Sequence, residues 1–147
     1  MATRSAGLVL ELDARSLERA RSFRVHGYAQ GLAIGGPAEL YVANESGWMD
    51  LLSLGNGDII ASLRLDAGGY GLDLSPDQRW LYVTQPSIGC VAVIARDTLR
   101  GVTTISNGGT PRHTAFTGDG WTAVIVNEGG WIDIVRSAPG RIPTRRD

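Results

Sequence analysis

Two short segments near the end of the chain hold the residue types that acid–base and anion chemistry require. Arg112 and His113 stand in "GGTPRHTAF" and Glu128 in "VIVNEGG", on either side of a Gly-Asp-Gly turn. A histidine titrates near neutrality and can act as a general base. An arginine fork can hold a carboxylate or phosphate through two parallel hydrogen bonds. A second Asn-Glu pair ends at Glu45. The same residues can equally serve as hydrogen-bonding parts of turns, and the choice depends on the elements that position them.

Those elements follow from a repeat of 41–42 residues. "LYVANESGWMDLLSL" begins at Leu40, "LYVTQPSIGCVAVIA" at Leu81 and "AVIVNEGGWIDIV" at Ala123, preceded by "GLAIGGPAE", "GLDLSPDQRW" and "HTAFTGDGWT". Each unit reads as four short strands separated by Gly, Pro, Asp and Ser turns, the pattern of a propeller blade. The fold expected is all-β, a partial β-propeller of about three four-stranded, WD-like blades. It is divided into a half-blade at 8–25, blades at 30–65 and 70–106, a partial blade at 112–135 and a basic tail at 136–147. "DARSLERARSF" has helical character taken alone, but the repeat makes it a turn and an outer strand.

The repeat also supplies a control for each candidate. Tyr70 and Gln30 take the place of Arg112, and Gly71 and Gly31 that of His113, so blade architecture does not demand a histidine there. Pro86 takes the place of Glu45 and Glu128. Asn44, Gln85 and Asn127 recur as amides and read as turn-fixing groups. Trp48 and Trp131 recur in register with Cys90 and read as packing between blades. His26, in the linker "VHGYAQG", can face the channel mouth or the solvent. The ligand-binding candidates are therefore Glu45, Tyr70 and His26.

Composition removes several function classes. A net charge of −1 gives no footprint for nucleic acid or an anionic membrane, and the basic run from Arg141 to Arg146 reads as a solvated end. No Cys/His cluster has metal-ligand spacing and no Gly-rich loop opens a helix, so neither metal nor cofactor is expected. "MATRSAGLVLEL" lacks the form of a signal peptide and no apolar run spans a bilayer. The single Cys90 sits in an apolar strand pattern, and the expected location is the cytoplasm.

Three blades cannot close a ring, and an open arc exposes apolar faces and strand edges. Two copies forming one ring of six or so blades is the expected solution, with the leading half-blade of each copy completing the partner's trailing blade.

The elements "LYVAN" and "SPD" resemble the YVTN-type propeller repeat. "GLVLELDARSLERA" and "TPRHTAFTGDGWTAVIVNE" are similar to the lactonase branch, related to 6-phosphogluconolactonase and carboxymuconate cyclase, over about half the length of a member. The resemblance implies a channel site in which Arg112, His113 and Glu128 correspond to catalytic or substrate-binding groups, with Glu45 at the matching place in an earlier blade. For lactone hydrolysis His113 would activate water, Arg112 would stabilise the oxyanion and Glu128 would orient the imidazole. The competing expectation is a non-enzymatic ring that binds a small molecule or a protein on its channel face.

Overall fold

The runs "LYVAN", "LYVTQ" and "AVIVN" are apolar at nearly every position, which suits strands covered on both faces. Each becomes the second strand of a sheet. The computed structural model describes residues 2–3, 7–136 and 144–145. Four antiparallel sheets follow one another along the chain, and within each the strands are neighbours in sequence order. The first holds β1 (Ala2–Thr3), β2 (Leu8–Leu12) and β3 (Arg19–Arg24); the second β4 (Ala29–Gly35), β5 (Glu39–Asn44), β6 (Trp48–Ser53) and β7 (Ile59–Arg64). The third holds β8 (Leu72–Leu74), β9 (Trp80–Gln85), β10 (Cys90–Ala95) and β11 (Arg100–Ser106); the fourth β12 (Pro111–Phe116), β13 (Thr122–Asn127), β14 (Trp131–Arg136) and β15 (Thr144–Arg145).

Both ends carry one strand more than the repeat predicts. β1 pairs with Leu8 and Val9, and β15 pairs with Val135 and Arg136. An edge strand leaves a row of unpaired amides and carbonyls that nearby backbone can satisfy, whatever its side chains. The fourth strand of the last sheet thus comes from the chain's own tail; the rest of the basic run lies outside the described residues. "DARSLERARSF" is a turn and an outer strand, as the repeat requires. Asp13 Oδ1 accepts from the amides of Arg15 and Ser16, which holds its carboxyl below the ordinary carboxylate range.

Adjacent sheets pack face to face through three apolar clusters. Val9 and Phe23 of the first sheet meet Leu40, Val42 and Leu52 of the second. Tyr41, Met49 and Leu51 meet Leu81, Val83 and Ile94 of the third. Tyr82, Val91 and Val93 meet Ala123, Ile125 and Val135 of the fourth. Burying each large side chain contributes about 1.5–3 kcal/mol.

A polar clamp joins the second and third sheets at the opposite end from the turns that follow β5, β9 and β13. Arg96 donates to Glu39 Oε2 at 2.9 Å, to the Tyr41 hydroxyl at 3.2 Å and to the Gln78 side chain at 3.0 Å. The Tyr41 hydroxyl in turn donates to Glu39 at 2.6 Å. That bond, followed by Arg96, lowers the Glu39 pKa, while burial and then Glu39 push Tyr41 up to about 12. Among the described residues no helix is long and apolar enough to cross a membrane.

Candidate functional site

The first strand of each unit carries the side chains singled out above, and a recurrent irregularity aims them. The ladder between β4 and β5 slips between Ala29 and Gly31, and that between β12 and β13 slips between Pro111 and His113. Gln30 and Arg112 are the extra residues, and a bulge of this kind redirects a side chain. Tyr70 precedes Gly71 at the same place in the third unit, where the Tyr70 amide donates to the Thr84 carbonyl and the Gly71 amide to Thr84 Oγ1.

Each redirected residue meets the position that follows the second strand. Gln30 donates to Glu45 Oε1 at 2.7 Å. Arg112 Nη2 donates to Glu128 Oε2 at 2.8 Å, and its Nε lies 2.8 Å from Oε1 as an ion contact without hydrogen-bond alignment. The guanidinium lies 4.4 Å above the Tyr70 ring centre. The Glu128 hydrogen bond raises the Arg112 pKa and lowers that of Glu128. Glu45, Tyr70, Pro86 and Arg112 line one shallow cleft of about 230 Å³ together with Gly68, Gly69 and Ser87. Three of the predicted residues, Glu45, Tyr70 and Arg112, therefore share a cleft.

His113 stands apart from Glu128. Its ring meets Tyr70 edge-on at 5.5 Å between centres and is exposed. No hydrogen bond reaches that ring among the described residues. Both Glu128 oxygens face Arg112, so Glu128 does not orient the His113 ring, and the strand carrying His113 meets a different carboxylate, Asp73, whose Oδ2 accepts from the Thr114 amide at 3.2 Å. Burial raises the Asp73 pKa, offset by the Thr114 amide and then by His113. The sequence offered no marker for that contact, because Asp73 lies mid-strand in a different unit.

Glycine at 31 and 71 has a steric origin. A Cβ at Gly31 would lie 2.6 Å from both the Tyr70 carbonyl oxygen and the Leu72 amide nitrogen, and one at Gly71 would fall on the Arg112 carbonyl oxygen. The first strand of the next sheet passes through the space a side chain would need. Blade architecture thus does not demand a histidine in this slot, and where the next inner strand follows it leaves room only for glycine.

His26 lies outside the cleft. Its Nδ1 is 2.7 Å from Asp50 Oδ1, and its backbone amide donates to Asp50 Oδ2 at 2.8 Å. Ser62 Oγ also donates to Oδ1 at 2.7 Å, and Asp50 is fully buried. The imidazole is half-exposed and stacks on Trp48 at 5.3 Å. Asp50 was missed as the partner of His26, although an acid inside "WMDLL" is itself a sign, since carboxylates are rarely buried unpaired. The recurrent tryptophans do not pack between sheets as expected. Trp48 lies between His26 and Arg64, and Trp131 covers the turn glycines Gly109 and Gly129. The amides act as turn fixers: Asn44 Oδ1 accepts from Ser46 and Trp48, and Asn127 Oδ1 from Thr110 and Gly129.

This arrangement presents a guanidinium already engaged by a carboxylate, an aromatic face that it covers, and a further carboxylate bonded to an amide. An incoming anion has to displace Glu128 from Arg112, whereas a neutral or cationic polar group meets acceptors at once. Among the described residues no group of three or more His, Cys, Asp and Glu side chains could hold a metal ion.

No protein-family model matches the sequence, and no curated protein matches it. Solved structures do. The hydrazine synthase of Kuenenia stuttgartiensis superposes with a TM-score of 0.83 at 22% identity over 90% of this chain and 41% of its own. The dihydro-heme d1 dehydrogenase NirN follows the chain with a TM-score of 0.73 at 22% identity, over 98% of this chain and 34% of its own. The WD40 propeller domain of Doa1 gives 0.78 at 12% identity, over 90% and 45%. The chain thus spans less than half the length of each of these structures. At such identities the shared property is the fold, and the four successive sheets are those of a β-propeller.

Proposed function

We propose that this chain is a propeller arc that assembles with a second copy into a closed ring and binds a small ligand or protein partner on the channel face. The observation that carries the reading is the outer face of the fourth sheet. Val126, Ile132 and Ile134 are 50–58% exposed there, beside Val124. At the equivalent positions of the second and third sheets Tyr41, Ala43, Met49, Leu51, Tyr82, Thr84, Val91 and Val93 are at most 9% exposed. A face of this kind is a contact surface in every unit that has a neighbour. The lone Cys90, free among the described residues, fits a reducing, cytoplasmic setting. Light scattering of the purified chain tests the reading: the expected mass is twice 15.7 kDa, and a soluble monomer at all concentrations overturns it.

A second reading, a lactonase- or cyclase-like hydrolase of the YVTN type, is favoured by Arg112 meeting Glu128 and Tyr70, with His113 on the edge of the Tyr70 ring and apart from Glu128. It requires the Arg112–Glu128 pair to open for a carboxylate- or phosphate-bearing lactone. Turnover of small lactones that His113→Ala and Arg112→Ala both abolish is its expected signature. Absence of turnover by the assembled protein would set it aside.

A further inference from the structure

We infer that the cleft formed by Glu45, Tyr70 and Arg112 takes a cationic group, a primary ammonium or a guanidinium, and not an anion. This rests on the ligand-binding half of the proposed function and adds to it the charge of the ligand. It does not depend on how copies of the chain assemble.

Equivalent slots of the repeat frame the cleft. In the second and fourth units the bulged residue of the first strand meets the glutamate that follows the second strand, Gln30 with Glu45 and Arg112 with Glu128. In the third unit the same two slots hold Tyr70 and Pro86. The cleft therefore combines an aromatic ring and a proline with Glu45 from the preceding unit and Arg112 from the following one.

The two charged flanks differ in what they have left to offer. Arg112 is held from several sides: Glu128 accepts from its Nη2 at 2.8 Å, the Tyr70 ring lies 4.4 Å from its guanidinium, and Thr84 Oγ1 donates to its backbone carbonyl at 2.8 Å. Thr84 is fully buried, and Ala43 and Val126 at its equivalent positions have no hydroxyl to make that bond. The guanidinium is thus a fixed wall whose charge Glu128 balances. Glu45 is bonded to an amide instead, and Gln30 satisfies its Oε1 at 2.7 Å without adding charge. Glu128 first, and Glu45 at longer range, raise the Arg112 pKa. Two carboxylates share one guanidinium, and a net charge of −1 remains. An anion entering the cleft is repelled and has to displace Glu128, whereas a cation is attracted.

Arg112 also shows what a cation gains there. Its guanidinium combines a carboxylate with an aromatic face, at a distance well inside the reach of a cation–π contact. A ligand cation in the cleft finds the same two kinds of group in Glu45 and Tyr70. The space is small, about 230 Å³, and its glycines are tightly seated. A Cβ at Gly68 would lie 2.5 Å from the Glu45 carbonyl oxygen, and one at Gly69 3.0 Å from the Ala43 and Val83 side chains. An alkylamine or the end of a Lys or Arg side chain matches that size.

The amide chemical shifts of Gly68 and Gly69 in the full chain, followed by NMR, test the inference. The probes are agmatine, the tripeptide acetyl-Gly-Arg-Gly-amide and inorganic phosphate. Agmatine or the tripeptide should move both amides saturably and phosphate should not; whichever cation binds more tightly tells a free amine from a protein side chain. Glu45→Gln should weaken the cation about fivefold, the scale of a solvent-accessible ion pair. Arg112→Ala should tighten it, because both carboxylates are then left to the ligand, whereas a site built for anions would lose its ligand in that variant. Phosphate binding in place of the cations overturns the inference. So does an unchanged affinity in Glu45→Gln, or cation binding that is unchanged or weaker in Arg112→Ala. If neither the cations nor phosphate reach the cleft, the ligand-binding reading falls together with the inference.

Discussion

The third and fourth sheets share a repeat yet carry different burdens. In the third, Tyr82, Val91 and Val93 on one face and Leu81, Val83 and Ile94 on the other are all buried, because a sheet lies on each side. In the fourth, Ala123, Ile125 and Val135 are buried while Val126, Ile132 and Ile134 on the other face are exposed. The same alternation therefore encodes a core in one place and a surface in the other. Apolar content alone does not tell them apart, since only the neighbour decides whether burial occurs.

The contrast can be broken most forcefully in the core. Tyr82→Ala should cost about 3–5 kcal/mol, read as a lower urea midpoint. Val124→Ala, at the equivalent position of the fourth sheet, should cost less than about 1 kcal/mol in dilute monomer. Equal losses would mean that the fourth face is already covered. Next in size is the inner-strand slot. Gly71→Ala should destabilise by about 1–3 kcal/mol through overpacking against the Arg112 carbonyl, whereas His113→Ala in the monomer should stay within about 0.5 kcal/mol.

The two arginine–carboxylate groups sharpen the comparison further. Arg96 ties the second and third sheets through Glu39 and Tyr41, whereas Arg112 and Glu128 both belong to the fourth. A phenol with a raised pKa holds its proton more tightly in the folded state. Its contribution is full below the ordinary value of 10 and is lost as pH rises through about 12. Glu39 acts in the opposite sense: its lowered pKa contributes above the ordinary value of 4.5 and fades as pH falls through the folded value. Urea titrations should show an alkaline loss that Tyr41→Phe removes. Smallest of all, Arg112→Ala should change monomer stability by less than about 1 kcal/mol, because its partner Glu128 is largely exposed. Any loss of ligand binding in that variant then reports on the cleft and not on folding.

Much of the architecture could be read from spacing. Two strands per unit are marked by near-continuous apolar runs, and the turns by recurring amides and glycines, so the four-stranded unit emerges without coordinates. The short β1 and β15 could not be read in this way, because edge pairing is made by backbone groups that any sequence carries. At the candidate site Arg112 and Glu128 stood out by departing from Tyr70 and Pro86, and they do meet. The pairing of His26 with Asp50 crosses from a linker to a strand interior 24 residues away and leaves no periodic trace.

By itself the sequence determined the repeat, the strand order within each unit and the residues at which the last unit differs, because hydrogen bonding between successive strands is local. Only the tertiary structure decided which apolar faces are covered, why Gly31 and Gly71 must be glycine, and that Glu128 serves Arg112 rather than His113. Those facts depend on the approach of one sheet to another, where a few tenths of an ångström around a Cβ separate close packing from exclusion.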